Sequence, residues 1–124
     1  MPSILVIEAD EASALLIQKI FEGSYEVKIA LGGQKGLEAL GKNKVDLIIT
    51  CLHLHDMEGW NLIAQVRSVN NLPILVVTAS MDSLSKKLAF EAGCNAYLTK
   101  PYKIAELKAA VESLILPNSE NSPV

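Results

Sequence analysis

Several side chains with chemical potential stand just past apolar runs of this 124-residue chain. Glu8, Ala9 and Asp10 follow Ile4-Leu5-Val6-Ile7, which sets two carboxylates on either side of a methyl group. Cys51 ends a run begun at Val45, Thr78 ends one begun at Pro73, and Lys100 follows one begun at Asn95. Carboxylates can hold a cation or move a proton. A thiol is a nucleophile once ionised, and a hydroxyl beside an ammonium can hold an anion. Plainer roles stand next to each of these. Free cysteine ordinarily fills space in a core, Asp10 suits a helix N-cap, and Thr78 and Lys100 suit internal hydrogen-bond and ion-pair roles. His53 and His55 lie close to Cys51, but a metal needs convergent ligands, so a solvated loop is expected there. Cys94 falls at the amino end of its run, on geometry too far from Cys51 for a disulfide.

The elements that must position these residues alternate strand and helix. Strands are expected at 3–8, 25–30, 45–51, 73–78 and 95–99, with β-branched and leucine residues running almost continuously in the first and third. Such runs suit strands buried on both faces. Helices are expected at 11–22, 34–40, 60–69, 80–92 and 104–116. In the first, Leu15, Leu16 and Ile20 share one face, taken as the apolar one. Leu62, Ile63, Val66 and Val69 recur at helical spacing in the third. Gly93 closes the fourth. Gly32, Gly33 and Gly36 read as a turn with close helix packing. Residues 1–117 form one domain, and the polar stretch 118–124 reads as a flexible tail or the start of a linker. Five strand–helix units of this kind make an α/β doubly wound parallel sheet, strand order 2-1-3-4-5, in a flavodoxin-like three-layer sandwich. Ligands of such sheets sit at the carboxyl ends of the strands, where Glu8, Ala9, Asp10, Cys51, Thr78 and Lys100 all fall.

Composition narrows the chemistry. Apolar residues make up 50% of the chain, which excludes disorder for most of it. No apolar run approaches the roughly 20 residues of a membrane span. The amino terminus lacks a basic segment and a cleavage site, so a cytoplasmic protein is expected. Eleven basic against fourteen acidic residues give a net charge of -3, and aromatics are 5%. Both disfavour nucleic-acid binding. The loop Glu8-Ala9-Asp10-Glu11-Ala12 is acidic and lacks glycine, so it repels phosphate and disfavours FMN or NAD.

Taken together, Ile4 to Asp10, Asp46-Leu47-Ile48-Ile49-Thr50-Cys51, Asp56-Met57-Glu58-Gly59, Pro73 to Ala79 and Ala92 to Tyr102 resemble the receiver domain of two-component response regulators. The resemblance covers residues 3 to about 116. It implies Thr78 as the switch hydroxyl, Lys100 as the phosphate-binding lysine and Tyr97 as the switch aromatic. It also implies a cis bond before Pro101. The departures fall on the nucleophile and the metal ligands. Cys51 stands where the phosphoacceptor aspartate is implied, Glu8 and Ala9 stand where two acids are, and His55 replaces a proline. A standard site carries about -2 from three carboxylates and one lysine, which a divalent cation neutralises. Glu8 against Lys100 is neutral without one. An ion pair between them is therefore expected, with weak or absent Mg²⁺ binding and no other cofactor. The resemblance thus implies a degenerate receiver, a pseudo-receiver in phosphorelay signalling. It would be an interaction module rather than an enzyme, using the helix 4–strand 5–helix 5 face, where Lys86, Lys87, Lys103, Lys108, Tyr97 and Tyr102 lie. A homodimer, or an output domain beyond Val124, fits the same reading. Two alternatives stay open: phosphorylation at a nonstandard residue, and a thiol redox sensor at Cys51.

Overall fold

The computed structural model describes residues 1–120, with side chains described through residue 115. Its elements in chain order are β1 (Ser3–Ile7), α1 (Glu11–Phe21), β2 (Glu26–Ala30), α2 (Gly33–Lys42), β3 (Leu47–Thr50), α3 (Gly59–Arg67), β4 (Ile74–Thr78), α4 (Ser83–Ala92), β5 (Ala96–Thr99) and α5 (Ile104–Glu120). The five strands form one parallel sheet in the order β2-β1-β3-β4-β5, the topology expected. The central strands β3 and β4 are buried at every position, as continuous apolar runs require when helices cover both faces. One layer of core joins Leu5, Ile7, Ile48 and Val76 to Leu62, Ile63 and Val66 of α3. The other joins Ile4, Val6, Ile49 and Val77 to Ala14, Ile17 and Phe21 of α1 and Leu107 and Val111 of α5. No helix among the described residues is long and apolar enough to cross a membrane.

Several expected details change. In α1 the buried stripe is Ala14, Ile17 and Phe21, while Leu15 and Leu16 are 49% and 51% exposed. The helix carries apolar residues on two stripes, and the one with the small Ala14 packs onto the sheet. α3 stops at Arg67, leaving Val69 exposed. α4 starts at Ser83 rather than at 80, because Asp82 is its N-cap and accepts from the Ser85 amide. β3 ends at Thr50, so Cys51 lies one residue past the strand. α5 runs to Glu120, beyond the expected end at 116 and into the stretch read as tail. The helix thus continues through Pro117, a residue that more often kinks or ends one. Residues 121–124 of that tail lie outside the described residues.

Gly36 lets α2 lie close against β1: a Cβ there would sit 2.5 Å from Ile7 Cδ1, and that side chain would have to move. At the amino edge of the sheet, Arg67 ties three segments together. It donates from Nε to the Gly93 carbonyl (2.9 Å), from Nη1 to the Leu72 carbonyl (2.6 Å) and from Nη2 to Asn95 Oδ1 (2.7 Å). Asn95 Oδ1 also accepts the Ile74 amide. Arg67→Ala is expected to lower urea-unfolding stability by on the order of 1–2 kcal/mol, since it strands two part-buried carbonyls. Arg67→Lys should recover less than half, because one ammonium cannot span the guanidinium's fork.

Candidate functional site

Three backbone amides extend the sheet past the ends of its strands and so fix the rim. Glu8 N donates to Ala30 O (3.0 Å), Cys51 N to Ile7 O (3.2 Å) and Lys100 N to Thr78 O (2.7 Å). Adjacent parallel strands thereby deliver Glu8, Cys51, Thr78 and Lys100 to one edge. Glu8 is 3% exposed. Its Oε1 accepts the amides of Ala9 (2.9 Å) and Asp10 (3.3 Å), and its Oε2 accepts Lys100 Nζ at 3.0 Å. Lys100 Nζ reaches Ser13 Oγ at 3.3 Å as well. The expected ion pair is formed, and both carboxylate oxygens are engaged. A buried carboxylate is tolerable only when paired and hydrogen-bonded in this way.

Cys51 is 6% exposed, and its thiol donates a long contact to the His53 carbonyl at 3.6 Å. Burial, and then the negative Glu8, push its pKa up to about 11. Roughly one molecule in 10⁴ then carries a thiolate at pH 7. Cys94 is buried too, its thiol also pushed to about 11 by burial, and both cysteines are free. His53 and His55 are exposed, and His53 Nδ1 lies 3.7 Å from Glu58 Oε2. Thr78 Oγ1 accepts the Ser80 amide at 3.2 Å, and Tyr97 donates its hydroxyl to the Ser80 carbonyl at 2.8 Å. The β4–α4 loop is therefore tied to both residues read as switch elements. Lys100-Pro101 is cis.

Ser13, Ser80, Asp56 and Asp82, to which the sequence pattern assigns no role, also shape the rim. Asp56 reaches from the β3–α3 loop to cap α2, accepting Gly33 N and Gln34 N at 2.9 Å each. Gly32 holds φ +145°, and a Cβ on Gly33 would strike Met57. The Asp-Met pair could have signalled this cap, but only a tertiary fold brings it to the glycines. Asp10 caps α1 through the Ser13 amide and hydroxyl, the plainer of its two expected roles.

The family described as response regulator receiver domain matches residues 4–112. The chain is 31% identical over 116 residues to the response regulator ArlR of Staphylococcus haemolyticus, covering 93% of this chain and 53% of that protein. It is 32% identical over 117 residues to the transcriptional regulatory protein PcoR of Escherichia coli, covering 93% of this chain and 52% of that protein. The chain spans about half the length of these curated relatives. A response regulator from Chloroflexus aurantiacus superposes with a TM-score of 0.86 at 33% identity, covering 94% of this chain and 99% of that one. A CheY-like receiver domain protein from Methanospirillum hungatei reaches 0.92 at 23% identity, over 98% and 99%, and shows the shared fold. The chain belongs to the response regulator receiver family of two-component signalling.

Two measurements follow from this geometry. Lys100→Met leaves Glu8 buried without its cation and is expected to cost about 3 kcal/mol by urea unfolding. The double variant Glu8→Gln/Lys100→Met should lose less than Lys100→Met alone, which a double-mutant cycle reads as coupling. The second concerns acid. Asp10, Asp56 and Asp82 titrate below their ordinary 3.8: Asp10 through the Ser13 hydroxyl, Asp56 through the Gln34 and Gly33 amides, and Asp82 through the Ser85 amide. Depressed folded values give stability that is complete above the unfolded value and is lost as pH falls through the folded ones. The stability gap between the native chain and Asp56→Asn should therefore narrow steadily between about pH 5 and pH 2.

Proposed function

We propose that this chain is a pseudo-receiver, a receiver domain that signals through protein contacts without aspartyl phosphorylation. The Glu8–Lys100 ion pair carries this reading. It supplies internally the charge balance that a divalent cation supplies where three carboxylates meet. Mg²⁺ demands hard oxygen ligands in near-octahedral geometry. A cation here would have to take Glu8 from Lys100 and two amides, and would then meet the Ala9 methyl and the Cys51 thiol. The residues present do not fit the ion. Phosphoryl transfer depends on that charge neutralisation, so neither metal nor phosphate is part of this proposal. The protonated Cys51 thiol gives no support to a nucleophile or to a redox sensor.

The chain is proposed to act as an interaction module rather than an enzyme, in the cytoplasm. Its partner, another protein or an output domain of a longer chain, would engage the α4–β5–α5 face. Support comes from Met81, 78% exposed in the β4–α4 loop, and Leu84, 63% exposed on α4. On the same face Phe90 of α4 lies 6.4 Å from the Tyr97 ring, centroid to centroid, and Lys86 lies 5.8 Å above that ring. Aromatic area of this kind is enriched at interfaces.

Intact mass after incubation with a small acyl phosphate and Mg²⁺ tests the proposal. The native chain and Cys51→Ser are expected to show no phosphoryl adduct. The triple variant Glu8→Asp/Ala9→Asp/Cys51→Asp should gain one that requires Mg²⁺. An adduct on the native chain that Cys51→Ser removes would make Cys51 an acceptor and overturn the reading. An adduct that survives the substitution would overturn it as well, in favour of another acceptor residue.

A further inference from the structure

A groove of about 370 Å³ lies between α1 and the β5–α5 connection, lined by Ser13, Leu16, Lys100, Pro101, Tyr102 and Ile104. That volume is within the range of small-molecule sites, which pair apolar walls with a few fixed polar groups. The apolar walls here are Leu16, Pro101, Tyr102 and Ile104. Leu16 and Ile104 are both 51% exposed, so each keeps apolar surface open to an occupant. Tyr102 packs against the core layer beneath α1 and α5, which gives the groove a fixed base.

The polar end of the groove is held by the rim. Lys100 Nζ donates to Glu8 Oε2 at 3.0 Å and to Ser13 Oγ at 3.3 Å. An ammonium carries three N–H donors, so one has no acceptor among the described residues. The Ser13 hydroxyl is spent as a donor on Asp10 Oδ2, at 2.6 Å. The Tyr102 hydroxyl has no hydrogen-bond partner among the described residues. Burial, and then the Glu8 charge, raise its pKa, so the hydroxyl sits within the field of Glu8 and stays a donor. The lining thus offers two free donors beside apolar walls. Charge selects the acceptor. Glu8 and Asp10 against Lys100 leave one negative charge over at this end. A carboxylate or phosphate is therefore repelled, and a neutral oxygen is not. We propose that the groove binds a small neutral molecule with an apolar body and one carbonyl oxygen, a ketone, ester or amide, whose oxygen accepts from Lys100 and Tyr102. The site is built from α1, Lys100 and the β5–α5 connection, and it stands whether or not another residue of the chain accepts phosphate.

Titration of the whole chain, nitrogen-15 labelled, with benzylacetone tests this through amide chemical shifts. Saturable shifts are expected, centred on Ser13, Leu16, Lys100, Tyr102 and Ile104. The Kd should be on the order of 0.1–1 mM for a ketone of about eleven non-hydrogen atoms. Phenylbutyrate, with a similar body and a carboxylate, should bind roughly fivefold more weakly or worse. Leu16→Asp and Ile104→Asp should each weaken the ketone about tenfold, and Tyr102→Phe about threefold. Thermal unfolding of each variant establishes that it is folded, as the exposure of Leu16 and Ile104 predicts. The absence of saturable shifts up to about 5 mM overturns the proposal. So do shifts centred away from the groove, ketone binding that Leu16→Asp and Ile104→Asp leave unchanged, or an affinity that Tyr102→Phe does not lower. Phenylbutyrate binding as tightly as the ketone overturns it too, in favour of an anion site.

Discussion

One ion pair closes the carboxyl edge of the sheet, and the loops around it are arranged on that closure. Glu8 leaves β1 with its carboxylate turned back onto its own following amides, and Lys100 crosses from the end of β5 to meet it at 3.0 Å. The pair spans the sheet across β3 and β4, so it also sets what Cys51 and Thr78 face. A carboxylate 3% exposed would be intolerable without such partners. With them the rim is electrically balanced within the protein, and the Cys51 thiol beside it is kept protonated by burial and by the Glu8 charge.

The rest of the rim is held by short polar links that satisfy helix ends. Asp10 caps α1, Asp56 caps α2 from a distant loop, and Asp82 caps α4. Each puts a negative charge at the positive end of a helix dipole. Ser80 stands between two of these systems. Its amide goes to Thr78, its hydroxyl to Asp82, and its carbonyl takes the Tyr97 hydroxyl. The β4–α4 loop is thereby bonded on both sides. At the opposite edge Arg67 does similar work for the α3–β4 and α4–β5 connections.

Much of this was legible in the residues. Runs such as Ile74 to Val77 can only be doubly buried strands, and their alternation with helices leaves few topologies. The ion pair was legible through the resemblance to receiver domains, since at the matching positions Ala9 and Cys51 leave Glu8 as the one acid facing Lys100. What was not legible depended on which of two equivalent choices packing would take. The residues of α1 offer two apolar stripes, and Leu15 and Leu16 look as well suited to the core as Ile17 and Phe21. The start of α4 turned on whether Ser80 or Asp82 would cap it, and both bear suitable oxygens.

The sequence by itself determined the strand and helix alternation, the parallel sheet order, and the chemical identity of the rim, because these rest on hydrophobic period and residue type. The tertiary structure alone decided how the rim is wired. Asp56 meets Gly33 across 23 residues, and Lys100 reaches Ser13 across 87. It also decided which face of α1 remains in water. Such contacts arise from strands laid side by side and from helix rotation on a sheet, and neither leaves a local mark on the chain.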